Sequence, residues 1–246
     1  MAFIHLDQVS LTYPMLGAGS RARVTKTALV GAGNVLKDKK QRSSGIVALK
    51  DISLKFEVGD RVGLVGRNGS GKSTLLRVMA GIYEPLEGKV HVEGTIASLF
   101  SLGLGTKTEA NGYRNIELAG LMAGYSRDQI DDKLPAIAEF TGLGQYLNMP
   151  VRTYSNGMAM RLKFACGTAF SPEVLLMDEW LGAGDPSFQK KASDKMAELV
   201  EQAGILVLAS HNYQLIKNSC NKVMWLDRGE MKLFGPVDEV LEQVDD

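Results

Sequence analysis

The sequence predicts an α/β fold: a core of buried strands and helices, an antiparallel sheet beside it, and a helical subdomain set within the chain. Three observations carry this. Val62–Val65 is an apolar run that breaks into the turn Gly66-Arg67-Asn68-Gly69-Ser70-Gly71 and resumes as a helical pattern from Lys72 to Ala80. Val174–Asp178 and Ile205–Ala209 are short unbroken apolar runs, the form of buried parallel strands that deliver polar residues at their C-terminal ends. Phe3–Ser10 and Ile52–Val58 instead alternate with period two, whereas residues 109–146 carry apolar residues at helical spacing.

Taken in order, Phe3 to Tyr13 reads as an opening strand that Pro14 stops. Residues 15–45 read as an insertion. It is punctuated by glycine, and its many Lys and Arg residues face a single acid, Asp38. A short helix is expected at Val24–Val30, with a solvated stretch from Lys37 to Ser44. Two strands, Ile46–Leu49 and Ile52–Val58, should pair with the opening one to make the antiparallel sheet. Gly88–Gly94 is a further hairpin-like strand on which His91 has a structural place, and Ile96–Gly105 is a strand and loop.

Helices follow, one through Ile116 to Met122 and one through Ile130 to Phe140, and Pro150 ends this subdomain. Ser155 is placed as the N-cap of a helix reaching about Phe170, with Gly157 admitting close approach to that helix end. Beyond the strand at Val174, helices are expected at Pro186–Ala203 and Tyr213–Cys220. Strands at Lys222–Leu226 and Glu230–Phe234 flank the turn Asp227-Arg228-Gly229, and Pro236 opens a last helix.

The turn from Gly66 fits G-x-x-x-x-G-K-[ST], a phosphate-binding loop. Its glycines let successive backbone N–H groups curl around nucleotide phosphates, Lys72 reaches the β- and γ-phosphates, and the Ser73 hydroxyl takes Mg²⁺. Asp178, at the end of an apolar strand, suits the same metal through its water. Glu179 beside it orients or deprotonates an attacking water, or merely caps the strand. His211 ends another strand, either as a cap or as an imidazole reaching the γ-phosphate.

Composition sets bounds. With 246 residues, 45% hydrophobic and 23% charged, the chain has the make-up of an ordinary globular protein. No run is apolar enough to span a membrane and the N-terminus alternates like a strand, so a cytosolic location is expected. Lys plus Arg and Asp plus Glu are equal at 28 each, which argues against a dedicated nucleic-acid partner. Cys166 and Cys220 lack metal-ligand spacing and are expected to be reduced core residues.

The phosphate loop, Ser155-Asn156-Gly157 shortly before Asp178-Glu179, and His211 downstream resemble, in that order, the ATP-binding subunits of ABC transporters. The resemblance implies a P-loop NTPase of the ABC type: a single domain over residues 1–246 with an antiparallel β subdomain and an α-helical signature subdomain over residues 109–165. It implies ATP and Mg²⁺ as ligands and a head-to-tail homodimer. Each ATP lies between the phosphate loop of one subunit, Gly66 to Thr74, and the signature of the other, Ser155 to Gly157. Mapped onto this chain, Tyr13 matches the aromatic that stacks on adenine, although a plain edge-strand tyrosine also fits. Asp185 matches the interface acid and His211 the switch histidine.

Departures narrow the resemblance. The signature reads Tyr154-Ser155-Asn156-Gly157-Met158, no Gln occurs between Ser98 and Gly105, and Trp180–Asp185 lacks the usual Pro. With the insertion and Asn111-Gly112-Tyr113-Arg114-Asn115-Ile116, these are similar to the branch that exports lipid-linked polysaccharide such as O-antigen, capsule or teichoic acid. That branch implies membrane permease subunits as partners and a peripheral place on the cytoplasmic face of the inner membrane. Because the chain stops at Asp246, glycan selection is expected to lie with the permease. The basic insertion either lies against anionic lipid or is a solvated loop. An ATPase for drugs, lipoproteins or import shares this chemistry, and a non-transport member of the family is the remaining alternative.

Overall fold

The computed structural model describes residues 2–14, 34–37, 43–101, 105–179 and 186–244. β1 (Phe3–Pro14) turns Ile4, Leu6, Val9 and Leu11 into the core, as its alternation requires. β2 (Asn34–Lys37) and residues 43–45 are the described parts of the insertion, and the short helix expected at Val24–Val30 lies outside the described residues. The two strands expected next are one, β3 (Ser43–Glu57). The interruption at Lys50-Asp51 is a bulge. Asp51 and the facing Gln8 take positive φ of 50° and 49°, and their amides are satisfied by Ser10 Oγ at 3.0 Å and Ser53 Oγ at 2.9 Å, so pairing resumes beyond the kink.

β4 (Arg61–Val65) leads into α1 (Lys72–Met79). β5 (Glu87–Glu93) pairs antiparallel with β1 and not with a neighbour in sequence, so the hairpin-like pattern there reports alternation only. His91 on β5 is exposed and meets Phe3 edge-on at 4.9 Å, a packing contact. Next come β6 (Ile96–Ser98), a 3₁₀ turn at Leu99–Ser101, α2 (Gly112–Met122) and α3 (Arg127–Thr141). Two further 3₁₀ turns, Gly144–Asn148 and Val151–Thr153, precede α4 (Asn156–Thr168).

β7 (Val174–Asp178), α5 (Pro186–Gln202), β8 (Ile205–Ala209) and α6 (Tyr213–Ser219) form where the sequence places them. β9 (Lys222–Asp227) and β10 (Glu230–Pro236) are joined by Arg228 and Gly229, both at positive φ, the two-residue turn that matches strand twist. Pro236 ends β10 opposite Lys222 instead of opening the last helix. An edge strand tolerates the missing N–H, and α7 (Val237–Val244) begins one residue later.

The chain divides into two compact units, the first comprising Met1–Glu93, Met177–Glu179 and Ile205–Asp246, the second Gly94–Leu176 and Trp180–Gly204. In the first, β2-β3-β1-β5 form an antiparallel sheet, and β4 lies parallel between β8 and β9 with β10 antiparallel at the edge. Phe56 of β3 meets Phe234 of β10 at 6.0 Å, joining the two sheets within this unit. β4 and β8 are buried along their lengths, which is why they read as unbroken apolar runs.

The second unit is built on α2, α3 and α4, whose Ile116, Ile130, Ile137 and Leu162 share one core with Leu147 and Phe170. Phe188 of α5 adds edge-on ring contacts to Phe140 and Phe164 at 5.4 and 5.7 Å. Cys166 and Cys220 are free, and burial pushes both thiols up to about 12, so they behave as inert apolar side chains. Among the described residues no helix is long and apolar enough to cross a membrane.

Candidate functional site

Between β4 and α1 the chain must reverse within six residues, and the glycines are what the surroundings permit. Gly66 sits at φ 142°, where a Cβ would stand 2.1 Å from the Leu226 carbonyl oxygen, and Gly71 at φ 109°, where it would stand 2.7 Å from the Ala48 oxygen. The loop therefore lies tight against β9 and β3 with no side chain to fend them off. Ser70 N–H closes a turn on Arg67 O at 3.1 Å. Gly71 opens α1 with no side-chain cap, so the first-turn amides of the helix have no internal partner and can serve an anion.

Lys72 folds back over this loop. Its Nζ donates to Gly66 O at 2.6 Å and to Arg67 O at 3.2 Å, and the residue is buried. Burial lowers its pKa below that of an ordinary lysine, while the carboxylates of Asp178 and Glu179 act against that shift. Ser70 Oγ is buried and finds no hydrogen-bond partner among the described residues. A buried hydroxyl without a partner, set in a glycine cradle, is what a loop built for phosphate oxygens presents.

β7 and β8 bring the other polar groups to the same place in the first unit. Asp178 is half-buried at the end of β7, and Glu179 follows at φ 65°, a left-handed conformation costly for a non-glycine residue. Its amide donates to Ala209 O at 2.7 Å, which fixes the turn beside the end of β8. Ser210 Oγ accepts Asn212 N–H at 3.1 Å and Asn212 Oδ1 accepts Leu215 N–H at 3.0 Å, capping α6 and leaving His211 exposed between them. A cleft of about 540 Å³ is lined by Asn68 to Thr74, Asp178, Glu179 and His211, with Tyr13 at another wall. Gly66 and the exposed Arg67 contribute their carbonyls to Lys72 rather than lining the cleft.

Tyr13 is held at both ends. Its hydroxyl lies 3.1 Å from Thr74 Oγ1 and its ring meets Tyr83 edge-on at 5.9 Å, Tyr83 itself lying under the Arg77 guanidinium at 5.8 Å. Three features were not read from the sequence: Tyr83, the Ile46–Ala48 wall of β3, and Gly229, whose N–H donates to Ser70 O at 2.9 Å. The glycine-bearing turn was visible, but not what it presses against.

The second unit carries Ser155, which caps α4 by accepting Met158 N–H at 3.3 Å. Asn156 and Gly157 are exposed in the first turn, and a Cβ at Gly157 would meet nothing nearer than Ser155 Oγ at 4.0 Å. The packing of this chain does not require glycine there, which leaves a bare helix end open to another molecule. Asp185 lies outside the described residues, as do residues 15–33, 38–42 and 102–104. Among the described residues no group of three His, Cys, Asp or Glu side chains is placed to hold a metal by itself. The oxygens of Ser73 and Asp178 in one cleft suit a hard cation that takes its other ligands from phosphate and water.

A family profile described as ABC transporter matches residues 49–182. The O-antigen export system ATP-binding protein RfbE of Yersinia enterocolitica is 42% identical over 229 residues, 93% of this chain and 96% of that protein. The teichoic acids export ATP-binding protein TagH of Shouchella clausii is also 42% identical, over 81% of this chain but 55% of its own length, so the chain spans about half of that relative. Among solved structures, a dimeric ATP-binding cassette in a post-hydrolysis state bound to ADP and Pi superimposes with a TM-score of 0.66 at 20% identity, covering 95% of this chain and 98% of that one. That likeness concerns the fold.

Proposed function

Because the chain belongs to the ABC transporter family, we propose that it is the ATP-hydrolysing subunit of a transporter that exports lipid-linked, O-antigen-like polysaccharide across the cytoplasmic membrane. The observation that carries the catalytic part is the single cleft gathering the phosphate loop, Asp178, Glu179 and His211. The cargo rests on the Yersinia relative, an O-antigen export system ATP-binding protein that matches this chain along nearly its whole length.

In this reading the loop amides and Ser70 Oγ bind the phosphates of ATP, and Lys72 exchanges the carbonyls of Gly66 and Arg67 for phosphate oxygens. Ser73 and Asp178 hold Mg²⁺, which when bound neutralises charge on the β- and γ-phosphates. Glu179 orients and deprotonates the attacking water, and His211 donates to the γ-phosphate side of the site. Tyr13 supports the adenine. Ser155, Asn156, Gly157 and Asp185 act on the ATP of a second copy, so turnover follows closure of a homodimer. Catalysis is then mostly positioning and charge stabilisation. Closure moves permease subunits at the cytoplasmic face of the membrane, where this chain sits peripherally.

Co-purification of the tagged full chain with a multi-span permease, followed by assay of its ATPase with candidate cargoes, tests this. Stimulation by a lipid-linked glycan is expected. Stimulation only by a drug, a lipoprotein or an imported solute reassigns the cargo, and absence of any permease overturns the transport role.

A further inference from the structure

Two sequence features have no part in the nucleotide cleft: the segment Asn111–Ile116 and the tyrosine preceding Ser155. The second unit joins them. Asn115 is only 5% exposed, and its side chain is spent on the loop before α2. Its Oδ1 accepts Lys107 N–H at 2.8 Å, and its Nδ2 donates to the Lys107 and Asn111 carbonyls at 3.0 and 2.9 Å. A buried amide satisfied in this way fixes the loop to the first turn of α2.

The same loop is knitted to the approach to Ser155. Val151 N–H donates to Ala110 O at 3.0 Å, Arg152 N–H donates to Thr108 O at 2.9 Å, and the Arg152 guanidinium pairs with Glu109 at 3.0 Å. Tyr154 closes the connection. Its hydroxyl donates to Tyr146 O at 2.7 Å, and Gly112 packs against the same phenol. A Cβ at Gly112 would stand 2.5 Å from Leu147 Cδ2 and 2.8 Å from that hydroxyl oxygen, so Leu147 and Tyr154 together leave room there only for glycine.

We infer that Tyr154 is a positioning residue for Ser155: its phenol, pinned between Gly112 and Tyr146, fixes the peptide from which Ser155 faces a second copy of this chain. α4 holds Ser155 from behind through its cap on Met158, and Tyr154 holds it from the front. The arrangement makes the signature answer to residues 107–115, which no hydrogen bond of Ser155 itself reaches. This rests on the reading that Ser155 to Gly157 complete the site of a second copy.

The test uses the full chain carrying Glu179→Gln, with ATP-driven self-association followed by sedimentation velocity. Tyr154→Phe keeps the ring and loses the hydroxyl. It is expected to weaken self-association about fivefold, the scale of one hydrogen bond, while ATP affinity measured by calorimetry below the association range stays at the parent value. A role confined to folding would lower the melting temperature without that split. Gly112→Ala presses a methyl group on the same phenol and on Leu147, and is expected to weaken self-association at least as much. Parent-like association of Tyr154→Phe overturns the inference. Ser155→Arg in the same background tests the underlying reading separately. If it associates like the parent, that reading fails. If it abolishes association while Tyr154→Phe does not weaken it, only the positioning role falls.

Discussion

Gly229, at the tip of the β9–β10 hairpin, donates its amide to the carbonyl of Ser70 in the middle of the phosphate loop at 2.9 Å, and its own carbonyl accepts Lys50 N–H at 2.9 Å. The loop is thus clamped from behind by backbone alone. At φ 82° a Cβ on Gly229 would lie 2.8 Å from Ala48 O, so Gly229→Ala must displace either β3 or the hairpin. The expected cost is about 1–3 kcal/mol of stability together with weaker ATP binding, read by urea unfolding and calorimetry. Stability and affinity equal to the parent would show that the clamp does not hold the loop.

Lys72 titrates below an ordinary lysine because burial outweighs the pull of Asp178 and Glu179. A bound triphosphate favours the ammonium form, so binding in this range takes up a proton. ATP affinity is full below the depressed pKa and falls as pH rises through it, so the decline should begin below the titration range of an ordinary lysine and be accompanied by proton uptake in buffers of different ionisation enthalpy. An affinity that stays constant until the titration range of an ordinary lysine is reached would contradict the role of Lys72.

Tyr13 and the loop make separable contributions. Tyr13→Ala should weaken ATP binding by about 1–3 kcal/mol, the scale of one base stacked on an aromatic ring. It should leave the affinity for inorganic tripolyphosphate, which has no base to stack, near the parent value. Tyr13→Phe keeps the ring but loses the contact with Thr74 Oγ1, and should lie between the two. Equal losses for ATP and tripolyphosphate would place Tyr13 in loop support and remove it from base binding.

The elements around the cleft were legible because their signals are local. Val174–Asp178 and Ile205–Ala209 are uninterrupted apolar runs bounded by polar residues, and the structure ends both strands where the runs end. Ser155 announces a helix start by its residue type and caps α4 as expected. What stayed hidden depends on register between distant segments. Nothing near Asp51 says that Gln8 will bulge opposite it and carry β3 through as one strand. Nothing near Gly229 says that its amide meets Ser70, and the close approach of Gly112 to Leu147 and Tyr154 exists only once α2 packs on the turns before α4. The left-handed backbone of Glu179 was equally unreadable, since a glutamate after a strand carries no signal for it.

The most direct test of the account compares steady-state ATP hydrolysis and ATP binding by the full chain and its Glu179→Gln variant. Removing the carboxylate that orients and deprotonates water should lower kcat by about 10² to 10⁴-fold. Because the phosphate loop and Lys72 are untouched, ATP affinity should remain within about a factor of three of the parent, the scale of a surface substitution. Hydrolysis by Glu179→Gln equal to that of the parent would contradict the assignment of this cleft as the site of ATP hydrolysis.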